Sequence, residues 1–172
     1  METKFVNQIL KVLKDAIQNI LMRNKDTYTF IELYNNIYTM VVHGGYGGCL
    51  YNLLKKVLIT HLETNILARF KNNDFLQTLN VAWRDYQTSL RLIENIFCYM
   101  EKNWIPKTKL ENIQTLGMNL FRDLVMGYGC IRQTLLLKFL VDLKKKEPPN
   151  EAEGEMLRML GLDDKNPLII KK

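Results

Sequence analysis

A chain of 172 residues has room for one domain of ordinary size, with a core that needs no disulfide or metal to hold it together. Apolar residues make up 47% and charged residues 24%, which excludes a chain disordered throughout, and no apolar run approaches the ~20 residues of a membrane helix. Basic residues outnumber acidic ones by 24 to 18, a net charge of +6, but the excess is scattered, with its densest runs at Lys144-Lys145-Lys146 and Lys171-Lys172. A solvated surface is the plain reading of that charge, and a basic helical nucleic-acid-binding module is the alternative; on balance neither nucleic acid nor a membrane is expected as a partner. The first residues mix charge with apolar side chains and do not read as a signal peptide. Cys49, Cys98 and Cys130 are odd in number and widely spaced, which argues against a disulfide framework and for a reducing compartment, cytoplasmic or nuclear.

Helical spacing runs along nearly the whole chain, and the expected fold is all-α. Residues 3–23 set Phe5, Ile9, Val12, Leu13, Ala16 and Ile20 three and four apart, one buried stripe. Asn24-Lys25-Asp26-Thr27 breaks the pattern. Thr29-Phe30-Ile31-Glu32 has capping-box spacing, so a helix should start near Phe30 and run to about His43. The stretch His43-Gly44-Gly45-Tyr46-Gly47-Gly48 stops it in a mobile turn. A third helix follows from Leu50 through Leu54, Leu58, Leu62 and Ile66 to Phe70, and Asn72-Asn73-Asp74 caps the next. Residues 75–104 read as one long helix with Phe75, Leu79, Trp83, Tyr86, Leu90, Ile93, Phe97, Met100 and Trp104 on its core face, stopped by Pro106. Another helix is expected over about 110–126, a bend at Gly127-Tyr128-Gly129, and helix again from Cys130 to about Lys145. The division is a helical domain of about five to six helices over 1–146 and a polar tail over 147–172, with one short helix near Glu155–Leu160.

Catalytic chemistry is missing from the pattern. His43 and His61 have no Cys, Ser or carboxylate at triad-like spacing, and neither CxxC nor HExxH occurs. The glycines at 44–48 lack the Gly-Lys-Ser/Thr of a phosphate loop and follow a helix instead of a strand. Asp163-Asp164 sits in the polar tail as solvated charge. No catalytic residue, metal or cofactor is expected, and the chain does not read as an enzyme.

The second helix carries too much apolar surface for a single stripe. At about 100° per residue, Phe30, Leu33, Ile37, Met40 and Val41 share a face that should bury, while Ile31, Tyr38 and Val42 cluster on a neighbouring face with Tyr34 between. Either this helix is central to the bundle or its second face binds a partner, and tyrosines are enriched at interface hot spots. Leu92 and Tyr99 lie off the main stripe of the 75–104 helix, with Ile96 between its faces; if that end packs beside the second helix, the two sets form one patch.

The run Phe30-Ile31-Glu32-Leu33-Tyr34-Asn35-Asn36-Ile37-Tyr38-Thr39-Met40-Val41-Val42-His43 resembles the second helix of the cullin N-terminal domain, in its cullin-3 branch. FLQTLNVAWRDYQTSLRLIENIFCYMEKNW at 75–104 and FRDLVMGYGCIR at 121–132 resemble the same branch, and the likeness runs from about Lys4 to Leu143. The resemblance implies a single cullin-repeat-like helical bundle, part of a non-catalytic scaffold of ubiquitin ligases acting in ubiquitin-dependent protein catabolism. It implies BTB-domain adaptor proteins as partners, in preference to the elongin C-type adaptors of other cullins. Carried over by position, the adaptor contacts fall on Tyr28, Phe30, Ile31, Tyr34 and Tyr38, with Tyr99 and Lys102 from the long helix.

This sequence departs from the branch in three places. Only Met1-Glu2-Thr3-Lys4 stands where a longer adaptor-inserting segment precedes the first helix, Ile31 replaces an acidic residue, and the turn after the second helix is glycine-rich instead of charged. All three imply weaker or altered adaptor binding. The stretch Gly154-Glu155-Met156-Leu157-Arg158-Met159-Leu160-Gly161-Leu162 resembles the shortened start of a following repeat. The likeness includes no C-terminal domain of the kind that holds a RING subunit, so no RING partner is expected of these residues. If they are the whole product, the expectation is a decoy that occupies adaptors without delivering ubiquitin; a piece of a longer cullin, or a remnant with no partner, are the alternatives.

Overall fold

The computed structural model describes residues 3–24, 28–71, 75–145, 149 and 151–161, and among them it holds eight α-helices and no strand. They are α1 (Thr3–Met22), α2 (Phe30–Val42), α3 (Gly47–His61), α4 (Phe75–Ile96), α5 (Cys98–Asn103), α6 (Ile113–Leu120), α7 (Gly129–Lys145) and α8 (Glu151–Met159). Lys171-Lys172, Asp163-Asp164 and the cap expected at 72–74 lie outside the described residues. No single described helix is long and apolar enough to cross a membrane.

The core stripe of α1 is Val6, Ile9, Leu13, Ala16, Ile17, Ile20 and Leu21. Phe5 is exposed and Val12 only partly buried, because both sit on the shoulder of that stripe, turned away from α3 and α4 where α1 packs. The helix ends in a Schellman motif: Arg23 takes φ 56°, its N–H donates to the Ile20 carbonyl at 3.2 Å, and Asn24 N–H donates to the Asn19 carbonyl at 2.9 Å. A non-glycine residue in this conformation is costly, and here the Arg23 guanidinium pairs with Asp85 of α4.

Helix α4 is the element against which α1, α2, α6 and α8 all pack. Its face of Leu79, Ala82, Trp83, Tyr86, Leu90, Ile93 and Ile96 is buried, as is Phe97 just past its end. The Trp83 and Tyr86 rings lie 4.7 and 5.5 Å from Phe121. The Tyr86 hydroxyl donates to the Gly117 carbonyl at 3.2 Å, and burial pushes its pKa well above the usual tyrosine range. On its other side the His61 ring stacks on Tyr86, with centroids 6.5 Å apart and planes 7° from parallel.

The expected 75–104 helix is interrupted at Phe97, where ψ is 11°. No glycine or proline marks the place. The hydrogen-bond ladder continues on both sides, from Phe97 N–H to the Ile93 carbonyl and from Glu101 N–H to the Phe97 carbonyl, so the chain is offset instead of terminated. The continuation, α5, packs along α2. Pro106 then falls in a short 3₁₀ turn over Ile105–Lys107.

The turn before α3 closes more tightly than its four glycines suggest. Tyr46 N–H donates to the Met40 carbonyl at 3.0 Å, and α3 already begins at Gly47, which is buried against Trp104. A Cβ at Gly47 would stand 2.3 Å from the Trp104 ring, so only glycine admits this contact. Helix α3 runs on into a π-helical turn over Leu62–Ile66 and a 3₁₀ turn over Leu67–Lys71.

Helix α6 begins at Ile113, later than 110, because two acceptors hold its first amides. Asn112 Oδ1 accepts from Thr115 N–H at 2.7 Å, and Glu101 Oε1 accepts from Ile113 N–H at 2.5 Å. A π-helical turn over Phe121–Met126 follows, and the chain bends by 90° into α7 at the expected Gly127. There a Cβ would lie 2.4 Å from the Asp123 carbonyl oxygen.

The stretch read as a polar tail holds α8, which starts at Glu151 and buries Ala152, Glu153, Met156 and Leu157. Its acidic composition hides an apolar face, and its acids are used. Trp83 Nε1 donates to Glu155 Oε2 at 2.8 Å, Gln87 Nε2 donates to the same oxygen at 3.1 Å, and Glu153 pairs with Lys138 of α7.

His61 generates a pH prediction. Burial, and then the nearby Arg69 guanidinium, push its imidazole down to about 4. The folded chain therefore keeps this ring neutral at pH values where the unfolded chain protonates it. Stability is expected to be flat above about pH 6.5 and to fall towards pH 4 by up to ~1.4 kcal/mol per pH unit. Urea midpoints between pH 7 and 5 should show that slope, and a His61→Gln variant should flatten it.

Candidate functional site

The site begins with the cap of α2. Thr29 Oγ1 accepts from Glu32 N–H at 3.3 Å, while Glu32 Oε2 accepts from Thr29 N–H and from Thr29 Oγ1, both at 2.8 Å. This is the expected capping box. The bond from the Thr29 backbone, followed by that from its hydroxyl, holds the Glu32 carboxyl below the usual carboxylate range. The box sets Phe30 as the first residue of the helix and so fixes which side chains each face presents.

The inner face of α2 buries Leu33, Ile37 and Met40, with Val41 partly buried. Ile31, Tyr38 and Val42 are exposed on the neighbouring face, as the spacing predicts. Phe30 does not join the core as expected. It is 52% exposed, because the first turn of α2 overhangs a groove that no side chain among the described residues fills.

That groove has a volume of about 520 Å³ and is lined by Ile20 of α1, Tyr28, Phe30 and Leu33 at the start of α2, Leu92, Asn95 and Ile96 of α4, and Cys98 and Lys102 of α5. Its lining is mostly apolar, and among the described residues Lys102 is the only charged one in it.

A row of aromatic rings runs along α2 beside the groove. Phe30, Tyr34 and Tyr38 follow at four-residue steps, with centroids 6.2 and 6.4 Å apart and near-parallel planes. Tyr38 then meets Tyr99 of α5 edge to face, centroids 4.7 Å apart at 71°. His43 closes the row, 6.2 Å from Tyr38. The Tyr38–Tyr99 contact joins the two off-face sets into one patch, and edge-to-face pairs of this kind contribute ~0.5–1.5 kcal/mol.

All seven residues singled out in the sequence thus lie on this side of the molecule. Tyr28, Phe30 and Lys102 line the groove, Tyr34, Tyr38 and Tyr99 form the row with Phe30, and Ile31 stands on the outer flank of α2. Sequence reasoning left out Ile20, Leu33, Leu92, Asn95, Ile96 and Cys98 as site residues. Leu92 carried a signal, since it stood off the core stripe and is half-exposed here. Cys98 carried none, because the offset at Phe97 brings it to the groove.

Among the described residues, no group of three His, Cys, Asp or Glu side chains comes together as a metal site, and the three cysteines are free.

Residues 10–159 match the family model of the Cullin alpha solenoid domain. Cullin-3B of Arabidopsis thaliana is 34% identical over 159 residues, covering 91% of this chain and 21% of the relative. Cullin-3 of Dictyostelium discoideum is 34% identical over 155 residues, covering 89% and 19%. Cullin-3 of Caenorhabditis elegans is 30% identical over 177 residues, covering 96% and 22%. The chain spans about a fifth of the length of the curated relatives it matches.

The capping box makes a local prediction. Thr29→Ala removes the acceptor for Glu32 N–H and frees the Glu32 carboxylate, at an expected cost of about 1 kcal/mol in urea unfolding. A variant as stable as the wild type would show that the cap does not hold the first turn of α2.

Proposed function

The chain belongs to the cullin family, and from that premise we propose that it is a non-catalytic scaffold module whose α2–α5 face docks BTB-domain adaptors of cullin-RING ubiquitin ligases. The observation that carries this reading is the exposed aromatic row of Phe30, Tyr34, Tyr38 and Tyr99 running beside a largely apolar groove. It coincides with the residues to which the family resemblance assigns adaptor contacts.

The roles follow from side-chain chemistry. Tyr34 and Tyr38 offer large rigid ring surfaces, each with a hydroxyl for a polar partner at the edge of the contact. The groove between α2 and the end of α4 accepts an apolar side chain from the adaptor, with Phe30, Leu33, Leu92 and Ile96 as its walls. Lys102 is exposed and acts as a rim charge worth ~0–1 kcal/mol at most. Tyr99 acts partly by bracing Tyr38.

The test is calorimetric titration of the 172-residue chain with a BTB domain carrying its flanking helical segment, with elongin C as the control. Saturable binding to the BTB domain alone is expected. Tyr34→Ala and Tyr38→Ala should each remove it while leaving the circular-dichroism spectrum unchanged. Unaltered affinity in both variants would sink the assigned surface.

The isolated 172-residue chain is further proposed to act as a competitor. Added in excess to a reconstituted BTB-dependent ubiquitination reaction, it should lower substrate ubiquitination, and Tyr34→Ala should abolish that inhibition. An inhibition equal in wild type and variant would remove the competitor reading.

A further inference from the structure

Ile31 is the feature of this face that the groove and the aromatic row leave unexplained. It is 68% exposed and lies outside the groove lining, one position past Phe30 in the first turn of α2. Tyr38 seven residues on and Val42 four beyond that stand on the same outer flank of the helix, with the exposed Asn35 between Ile31 and Tyr38, and Ile31, Tyr38 and Val42 are all exposed apolar or aromatic side chains. In the free chain an isoleucine here gains little. It is β-branched, which lowers helix propensity, and it is not among the residues packed against the core.

The charge around it points the same way. The adjacent carboxylate, Glu32, spends Oε2 on the Thr29 N–H and hydroxyl, so it is held in the cap. Among the described residues that line the neighbouring groove, the only charged one is Lys102, on α5. Among the described residues, the outer flank of α2 therefore offers a partner exposed apolar area, beside a Glu32 carboxylate that already has its hydrogen-bond partners in the cap.

We infer, resting on the adaptor-docking reading, that Ile31 is a specificity residue: the adaptor surface that closes over the first turn of α2 presents an uncharged apolar side chain to it, and adaptors offering a charged side chain at that place are rejected. The reason is desolvation. A lysine, arginine or carboxylate pressed against Ile31 loses water and gains no partner, whereas an apolar side chain adds burial to both surfaces.

The test uses the same titration with the BTB domain that the wild-type chain binds, comparing Ile31→Leu, Ile31→Glu and Ile31→Lys, with Tyr34→Ala as the control for docking itself. Ile31→Leu should bind within about twofold, and Ile31→Glu and Ile31→Lys should each weaken binding about tenfold or more. Loss with both signs of charge is the signature of an apolar partner. Tighter binding by Ile31→Glu would reveal a cationic partner surface, and tighter binding by Ile31→Lys an acidic one; either overturns the inference. Unchanged affinity in all three would also overturn it, while loss in Tyr34→Ala would leave adaptor docking standing. A folded wild-type chain that binds no BTB domain would remove the docking reading and this inference together.

Discussion

The buried face of α4 is the constraint on which the other helices depend. α1, α2, α6 and α8 all close on it, and each fully buried Leu, Ile or Phe side chain there is worth ~1.5–3 kcal/mol against exposure. Apolar burial alone does not set register, since it is non-directional. The polar atoms along α4 do that. Trp83 Nε1 reaches Glu155 of α8, the Tyr86 hydroxyl reaches the Gly117 carbonyl of α6, and the buried Ser89 hydroxyl donates to the Ile20 carbonyl of α1 at 3.1 Å. Each bond ties a different element to α4 at a single height, and a slip of one turn would leave a buried polar group unpaired.

With those elements fixed, the end of α4 decides the docking face. The offset at Phe97 keeps its ring fully buried and lets α5 lie along α2, where Tyr99 meets Tyr38. Glu101 then binds back to the first amide of α6, so one short helix contacts α2 on one side and caps α6 on another. Burial pushes the Glu101 carboxyl above the usual carboxylate range, against the pull of that amide. The groove is the space left where Phe30 overhangs Leu92 and Ile96. Just past the end of α5, Trp104 is seated on Gly47 at the start of α3.

Helix α2 shows how a single helix serves core and surface together. Its cap holds the phase, its inner stripe of Leu33, Ile37 and Met40 anchors it, and its outer residues stay exposed, with Tyr38 braced by Tyr99. That arrangement was readable from spacing because the capping box and both apolar sets are local features of one short helix and its N-cap. The assignment of Phe30 was not, because a first-turn side chain has no neighbour on one side. Whether it buries depends on what another helix places there. The same limit explains Phe5 and Val12, which carry core-like chemistry on the shoulder of α1, where Phe5 stays exposed and Val12 is only partly buried. It explains α8 as well, where Glu153 and Glu155 look like solvated charge until Lys138 and Trp83 are placed beside them.

By itself the sequence determined the all-helical class, the positions of most helices, the cap and two-faced character of α2, and the bend at Gly127. Each follows from period, capping chemistry or the missing Cβ of glycine, which act over a few residues. It also carried the family, through three blocks of residues in order, and the candidate surface that follows from it. Only the tertiary structure decided that α4 breaks at Phe97, that Tyr99 packs edge-on against Tyr38, and that Phe30, Leu92, Cys98 and Lys102 share one groove. Phe30 and Tyr38 are separated by dozens of positions from Leu92, Cys98, Tyr99 and Lys102. Their meeting is set by how buried faces on different helices compete for one core, a choice no local pattern encodes.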